Sequence, residues 1–373
     1  MSRYEIIEVK KKSDLKAFIK FPLELYHTES NYVPHLFIER LMFFNEKLNP
    51  FFKHAKVKNF ILRDNNEICG RVSAIVDFAH NKFHNEKICF FGNFDTIYNR
   101  EIAELLFDVV NRFARKEGME IIRGPMNFST NHECGLLVKG FDSPPKIMMT
   151  YNYPYYQELI EENGFYKAKD LLAYMLDTEK MDLKRLKKAS STLKKRYNLN
   201  IRKINFKKFK KELGIIYDIY NSAWEKNWGF VPMDREEFFH SSDMLKYFAD
   251  EDLILIAEVN SQPVGFIVAL PDINKILIKL KGKLLPTGIF KLLLNKKKIK
   301  ELRIITLGLK EGYRNKGIDY VLISDVVENA IKKGIRYGEC SWILEDNLKM
   351  NNALKKLNGE VYKVYRIFER EVL

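Results

Sequence analysis

Alternating apolar and polar positions in this chain follow one succession, and that succession occurs twice. Residues 60–77 place β-branched and aromatic side chains on both sides of an Asn-rich turn, and residues 254–270 do the same around Asn260-Ser261, so each predicts a β-hairpin. Gly70 and Gly265, in matching places of these hairpins, are 195 positions apart. Farther on, Asn163-Gly164 precedes the strand-like run 171–176, and Asn358-Gly359 precedes the run 365–369; Gly164 and Gly359 are again 195 apart. Two landmarks at one spacing predict a duplicated unit. Between them each copy carries an amphipathic helix closed by glycine, 101–118 in the first and 318–334 in the second. Those glycines are 216 apart, so the second copy holds 21 extra residues before its helix and the first holds about as many after it.

The segment 304–319 is the richest in candidate chemistry. A β-branched strand, Ile304-Ile305-Thr306-Leu307-Gly308-Leu309, enters the basic turn Tyr313-Arg314-Asn315-Lys316-Gly317, and the helix beginning at Ile318 follows. Amides at a helix start have no intrahelical acceptor and sit at the positive end of the helix dipole, so such a turn suits a pyrophosphate, with Arg314 and Lys316 alongside. Ordinary solvated surface is the alternative for a basic turn of this kind.

This order of parts resembles the acyl-CoA loop of the GCN5-related N-acetyltransferase (GNAT) superfamily. Each copy reads as strand, two helices, hairpin, strand, helix, strand, helix and closing hairpin, which is the GNAT order. The resemblance therefore implies an α+β fold with a mixed sheet, as two tandem GNAT-like domains, 1–180 and 181–373. Residues 124–137 and 342–347 carry a narrower likeness to a bacterial group of double-GNAT proteins of this length. By motif position, Leu307, Gly308 and Leu309 would bond the pantetheine arm of acetyl-CoA or another acyl-CoA, and Tyr313, Arg314, Asn315, Lys316, Gly317 and Ile318 would wrap its pyrophosphate. Asp319 departs from the family pattern, where glycine or alanine is usual, and its carboxylate would repel phosphate unless turned away. The matching turn of the first copy, 96–103, lacks glycine and places Glu101 at the phosphate position, so that copy is expected to be a scaffold without CoA.

The tyrosine acid that many GNAT enzymes carry on the helix after the fifth strand is missing; Leu354 stands there, and Ile160 in the first copy. Proton handling then falls to other groups. Glu345 and Asp346 follow the fifth strand of the second copy, with Asn347 available to the pantetheine amides; helix capping is the competing role, favoured for Asp346. In the first copy the loop after Gly124 gathers Asn127, Ser129, Thr130, Asn131, His132, Glu133 and Cys134, and long loops inside compact domains commonly serve function. It would supply Glu133 or His132 as base or substrate ligand, with Asn127, Ser129 and Asn131 as hydrogen-bonding groups. The alternative is a loop shaped by local side-chain turns.

Composition narrows the classes. A net charge of +14 suits polyanionic ligands, whether a nucleotide cosubstrate, RNA or an anionic lipid surface, although lysine enrichment also follows from genome composition. The insertion 276–298 mixes apolar and basic residues and fits a helix covering a groove between the copies, with a membrane or RNA surface as the rival. Four scattered cysteines and seven histidines lack the spacing of a metal site, so no metal is expected. No apolar run reaches about eighteen residues and the N-terminus alternates, which points to a cytoplasmic protein without a transmembrane segment. The functional expectation is acyl transfer, acetyl in the simplest case, to a small-molecule or peptide amine. Its rivals are an aminoacyl-tRNA-dependent transferase, the one case that calls for RNA, and a noncatalytic CoA or metabolite binder.

Overall fold

A computed structural model describes residues 3–223, 227–246, 248–283, 288, 294–295 and 298–373. The chain divides into two compact units: unit 1 comprises 1–171, 274–293 and 363–373, and unit 2 comprises 172–273 and 294–362. Residues 284–287, 289–293 and 296–297 of the insertion expected at 276–298 lie outside the described residues; what is described includes a helix, Asn274–Leu280.

Unit 1 opens with β1 (Tyr4–Glu8), α1 (Lys12–Leu25) and α2 (Phe37–Phe43), followed by β2 (Ala55–Asp64), β3 (Glu67–Asp77), α3 (Phe78–His84) and β4 (Ile88–Thr96). Then come α4 (Arg100–Lys116), β5 (Ile121–Gly124), the small hairpin β6 (Met126–Asn127) and β7 (Glu133–Cys134), β8 (Leu136–Lys139), α5 (Tyr156–Glu162) and the first half of β9 (Tyr166–Asp177). The β2–β3 turn places Asn65 and Asn66 at φ 47° and 72°. Consecutive positive φ values match the right-handed twist of the flanking strands, and asparagine tolerates them better than most residues. β1 through β4 pair antiparallel in order, and β5 joins parallel to β4. One face of α4 is buried at Ile102, Ala103, Leu106, Phe107, Val110, Phe113 and Ala114, the three-and-four spacing that lays a helix on a sheet. These side chains form a core with Val72, Ala74, Cys89 and Phe91.

Unit 2 repeats the plan. It contains α6 (Leu183–Tyr197), β10 (Leu199–Lys203), α7 (Phe209–Ala223), α8 (Arg235–Leu245), β11 (Ile254–Val259) and β12 (Gln262–Pro271). With the helix 274–280, which belongs to unit 1, counted as α9, the chain order continues through β13 (Glu301–Leu309), α10 (Ile318–Lys332), β14 (Tyr337–Leu344), α11 (Leu348–Lys356) and β15 (Glu360–Glu371). β10 through β13 are antiparallel neighbours, β14 is parallel to β13, and Asn260-Ser261 turns the hairpin at φ 49° and 62°. The fold is thus a mixed α+β arrangement built twice. α10 buries Ile318, Val321, Leu322 and Val326 in a core with Leu255, Ile267 and Leu302.

The closing strands are divided between the units. Tyr174 and Leu176, from the second half of β9, pack in the unit 2 core, whereas Phe368 of β15 packs in the unit 1 core. In unit 1, Phe368–Glu371 pair antiparallel with β5, and Val364–Arg366 pair with β8. Lys363, fully buried, donates from Nζ to the carbonyl oxygens of Gly140 and Ser143.

Candidate functional site

The site in unit 2 begins where two parallel strands stop pairing. β13 and β14 are in register from Glu301↔Tyr337 to Ile304↔Cys340 and no farther, while β13 continues along β12 to Leu309↔Gly265. A bulge in the β12–β13 pair falls at this point, between Val268 and Ala269. Beyond Ile304, the side of β13 away from β12 has no β14 partner, which leaves alternate backbone groups there for an extended polar chain to pair with, except that Leu309 O accepts from Arg314 Nε at 3.4 Å. Leu307, Gly308 and Leu309 lie on this stretch.

The strand then feeds a helix start that no side chain caps. Lys310 N donates to Val264 O at 2.9 Å, a 3-10 turn spans Glu311–Tyr313, and Asn315 and Gly317 adopt φ of 63° and 73° before α10 begins at Ile318. The Gly317 cap supplies no side-chain acceptor, which leaves first-turn amides to meet a ligand. Asp319 lies in the first turn of α10, and its carboxylate does not cap the helix. In unit 1 the equivalent helix start differs: Asn99 caps α4 by accepting from Ile102 N at 3.2 Å.

Cations at the turn are arranged differently from the sequence expectation. Lys316 Nζ sits 4.9 Å from the centre of the Tyr313 ring, and Lys349 Nζ, from α11, donates to Asn315 Oδ1 at 2.6 Å. Lys349 escaped notice because it lies 34 positions along the chain from Asn315. Arg314 is diverted: its Nη2 donates to the carbonyl oxygens of Ser222 and Ala223, both at 2.9 Å, at the end of α7. Gly317 also has a reason other than phosphate approach, since a Cβ there would lie 2.9 Å from Leu193 Cδ1 of α6 and the left-handed backbone disfavours any other residue.

At the far end of β14, the helix cap is Asn347 and not Asp346. Asn347 Oδ1 accepts from Met350 N at 3.1 Å, which engages the oxygen that was to meet pantetheine. The Glu345 carbonyl accepts from Asn351 Nδ2 at 3.2 Å, and Leu354 is wholly buried in the core.

Unit 1 fills the corresponding gap with its own chain. β4 and β5 pair only over Ile88–Phe90 and Ile121–Arg123, and beyond them Asn93 N donates to Asn127 Oδ1 at 2.8 Å. A Cβ on Gly92 would lie 1.8 Å from Met126 O, so β6 presses directly on β4. Asn127 is therefore a bridge closing the strands. Ser129 is nearly buried; its hydroxyl contacts His132 Nδ1 at 2.9 Å and accepts from Asn131 N at 3.2 Å, the local turn that the sequence left open as an alternative. The His132 ring stands edge-on to Phe43 and Phe51. Glu133 meets two residues that sequence reading missed: its Oε2 is 3.4 Å from His35 Nε2 and 3.9 Å from Arg40 Nη1. Partial burial of its ring, and then the Arg40 charge, push the His35 pKa down, which favours the neutral imidazole.

Among the described residues no group of three or more His, Cys, Asp or Glu is placed to hold a metal, and no helix is long and apolar enough to cross a membrane. All four cysteines are buried, and none is joined in a disulfide.

The acetyltransferase (GNAT) family pattern matches residues 213–359, the span that holds the uncapped turn. A tandem GNAT protein from the clavulanic acid biosynthesis pathway superposes with a TM-score of 0.57 at 9% identity, covering 99% of both chains. A GCN5-related N-acetyltransferase from Sphaerobacter thermophilus gives 0.55 at 10% identity over all of this chain and 96% of its own. Two curated proteins are far nearer in sequence. Protein YghO of Escherichia coli K12 is 37% identical over 97% of this chain and 94% of its own length. The bacterial ceramide synthase of Caulobacter vibrioides is 32% identical over 98% and 97%. With such identity along almost the whole length and two GNAT folds in succession, the chain belongs to the tandem GNAT family of bacteria that includes these two proteins.

Proposed function

We propose that this protein moves an acyl group from acyl-CoA to an amine acceptor, with unit 2 holding the cosubstrate and unit 1 acting as scaffold and acceptor platform. The observation that carries the reading is the open β13 edge running into the uncapped α10 start, in the segment matched by the GNAT pattern. Leu307–Leu309 would pair with the pantetheine amides, and the amides from Gly317 onward would receive the pyrophosphate, with Lys316 and Lys349 supplying charge. Arg314 shapes the turn and Asn347 caps α11, so both would act through the backbone they position. In the reaction, the amine lone pair attacks the thioester carbonyl, the C–N bond forms, the C–S bond breaks with its electrons passing to sulfur, and the nitrogen loses a proton. Glu345 at the end of β14 and Glu133 in unit 1 remain the candidates that sequence position offers for acceptor binding or proton transfer, with Ser129, Asn131 and His132 shaping the loop around Glu133.

Acetyl-CoA is the simplest donor. A second reading is favoured by the relative named as a ceramide synthase. A ceramide is a fatty amide of a long-chain amino alcohol, so the same N-acylation would take a longer acyl-CoA and a lipid amine. Calorimetry with CoA, acetyl-CoA and long-chain acyl-CoA, followed by thiol-release assays over amines that include long-chain amino alcohols, separates the two. Steeply salt-dependent tRNA binding without CoA affinity would favour an aminoacyl-tRNA-dependent transferase instead, and binding without turnover on any amine would favour a metabolite binder.

A further inference from the structure

The β13–β14 pair carries a buried polar cluster immediately before the two strands part. Arg303 and Glu339 are opposite one another in the parallel register, one step before the last pair, Ile304↔Cys340. Their neighbours Leu302 and Cys340 point into the α10 core, so Arg303, Glu339 and Ser341 occupy the opposite face. Arg303 is 4% exposed and Glu339 is not exposed at all. Arg303 Nε donates to Ser341 Oγ at 2.8 Å and lies 3.7 Å from Glu339 Oε1, while its Nη2 donates to Ser341 O at 3.1 Å. Ser341 Oγ donates to one Glu339 oxygen, and the hydroxyl of Tyr362, a half-buried side chain at the start of β15, donates to the other.

Such a cluster is an expensive way to hold two strands together. Removing two opposite charges from water carries a large penalty before their attraction returns it, and apolar residues of similar volume commonly hold a fold as well or better. It also stands where the open edge of β13 begins, while the helix position that bears a tyrosine in many related enzymes is occupied by buried Leu354. Glu339 is fully buried, whereas Tyr362 is only half-buried.

We propose that Tyr362 and Glu339 form the proton relay of the acyl transfer, an inference that rests on the acyl-CoA reading above. As the amine attacks the thioester carbon, Tyr362 Oη takes the proton from nitrogen and passes its own along the existing hydrogen bond to the Glu339 carboxylate. When the C–S bond breaks, the proton held on Glu339 returns through Tyr362 to the departing sulfur, so the products are the amide and neutral CoA thiol. Tyr362 is the catalytic residue. Glu339 receives the proton behind it, and Arg303 and Ser341 are positioning residues that hold Glu339 in line.

The test compares wild type with Tyr362→Phe, which keeps the ring and removes the hydroxyl. Calorimetric affinity for CoA should stay within about twofold, because the seat for CoA is elsewhere in unit 2, whereas kcat should fall about a hundredfold or more, the usual size of a general acid–base contribution. The solvent deuterium isotope effect on kcat should also shrink in Tyr362→Phe, and Glu339→Gln should shrink it with the tyrosine intact. A Tyr362→Phe protein with wild-type kcat and an unchanged isotope effect would overturn the relay and leave the transferase standing. Wild-type protein that binds no acyl-CoA would overturn both.

Discussion

Arg314 Nη2 donates to the Ala223 carbonyl oxygen at 2.9 Å and to that of Ser222 at the same distance. A charged guanidinium nitrogen shared between two carbonyl oxygens of α7 ties the turn to that helix. Arg314→Ala is therefore expected to destabilise the fold by about 1–2 kcal/mol, read as a lower thermal midpoint. Its affinity for CoA should fall less than that of Lys316→Ala. A larger affinity loss for Arg314→Ala than for Lys316→Ala, with an unaltered midpoint, would contradict this assignment.

Gly317 carries φ of 73° and faces Leu193, so Gly317→Ala meets both a backbone and a steric obstacle. The expected loss is about 1–2 kcal/mol in urea unfolding, with weaker CoA binding because the α10 amides shift. Unchanged stability would show that the turn accommodates a side chain freely.

Replacing Lys363 with Met keeps the bulk of the stem and orphans the carbonyls of Gly140 and Ser143. Each buried carbonyl left without a donor costs about 1–3 kcal/mol. The expectation is a loss of about 2–3 kcal/mol that Lys363→Arg partly restores, measured by denaturant titration.

Glu86 gives unit 1 an acid-sensitive contact. Its hydrogen bond with His80 first, and then the nearby Arg123 charge, hold its pKa down at about 2, below the ordinary 4.5. Because the folded value is depressed, the stability it contributes is present above pH 4.5 and is lost as pH falls towards 2. Glu86→Gln should flatten that acid limb in thermal midpoints recorded between these pH values. A variant whose acid limb matches wild type would remove Glu86 from the account.

The duplicated plan was legible because it rests on local chemistry. Paired positive-φ residues at Asn65-Asn66 and Asn260-Ser261, and glycines 118 and 334 with φ of 70° and 68° after their helices, announce themselves in sequence. The turn from Leu309 to Ile318 was likewise readable as a strand-to-helix passage. What depended on distant partners was not. Arg314 has its acceptors 91 and 92 positions away, and nothing local to either segment reveals the other. His35 and Arg40 reach Glu133 only through the fold, and Tyr362 looks like one more strand tyrosine until Glu339 is seen behind it. Asn347 took the cap from Asp346 because its side chain, not its neighbour's, reaches Met350 N. A pattern states which groups are available; competition among acceptors decides which are taken.

The place of residues 363–373 sets a limit on how this protein can be made. Unit 1 lacks a strand beside β5, and the Phe368 side chain is absent from its core, until the ribosome has synthesised all of unit 2. The earlier half of the polypeptide must therefore wait, part-finished and with an unprotected sheet margin, for the last portion to arrive. Expressing residues 1–180 by themselves should yield an aggregation-prone fragment, and supplying 363–373 as a peptide should rescue it.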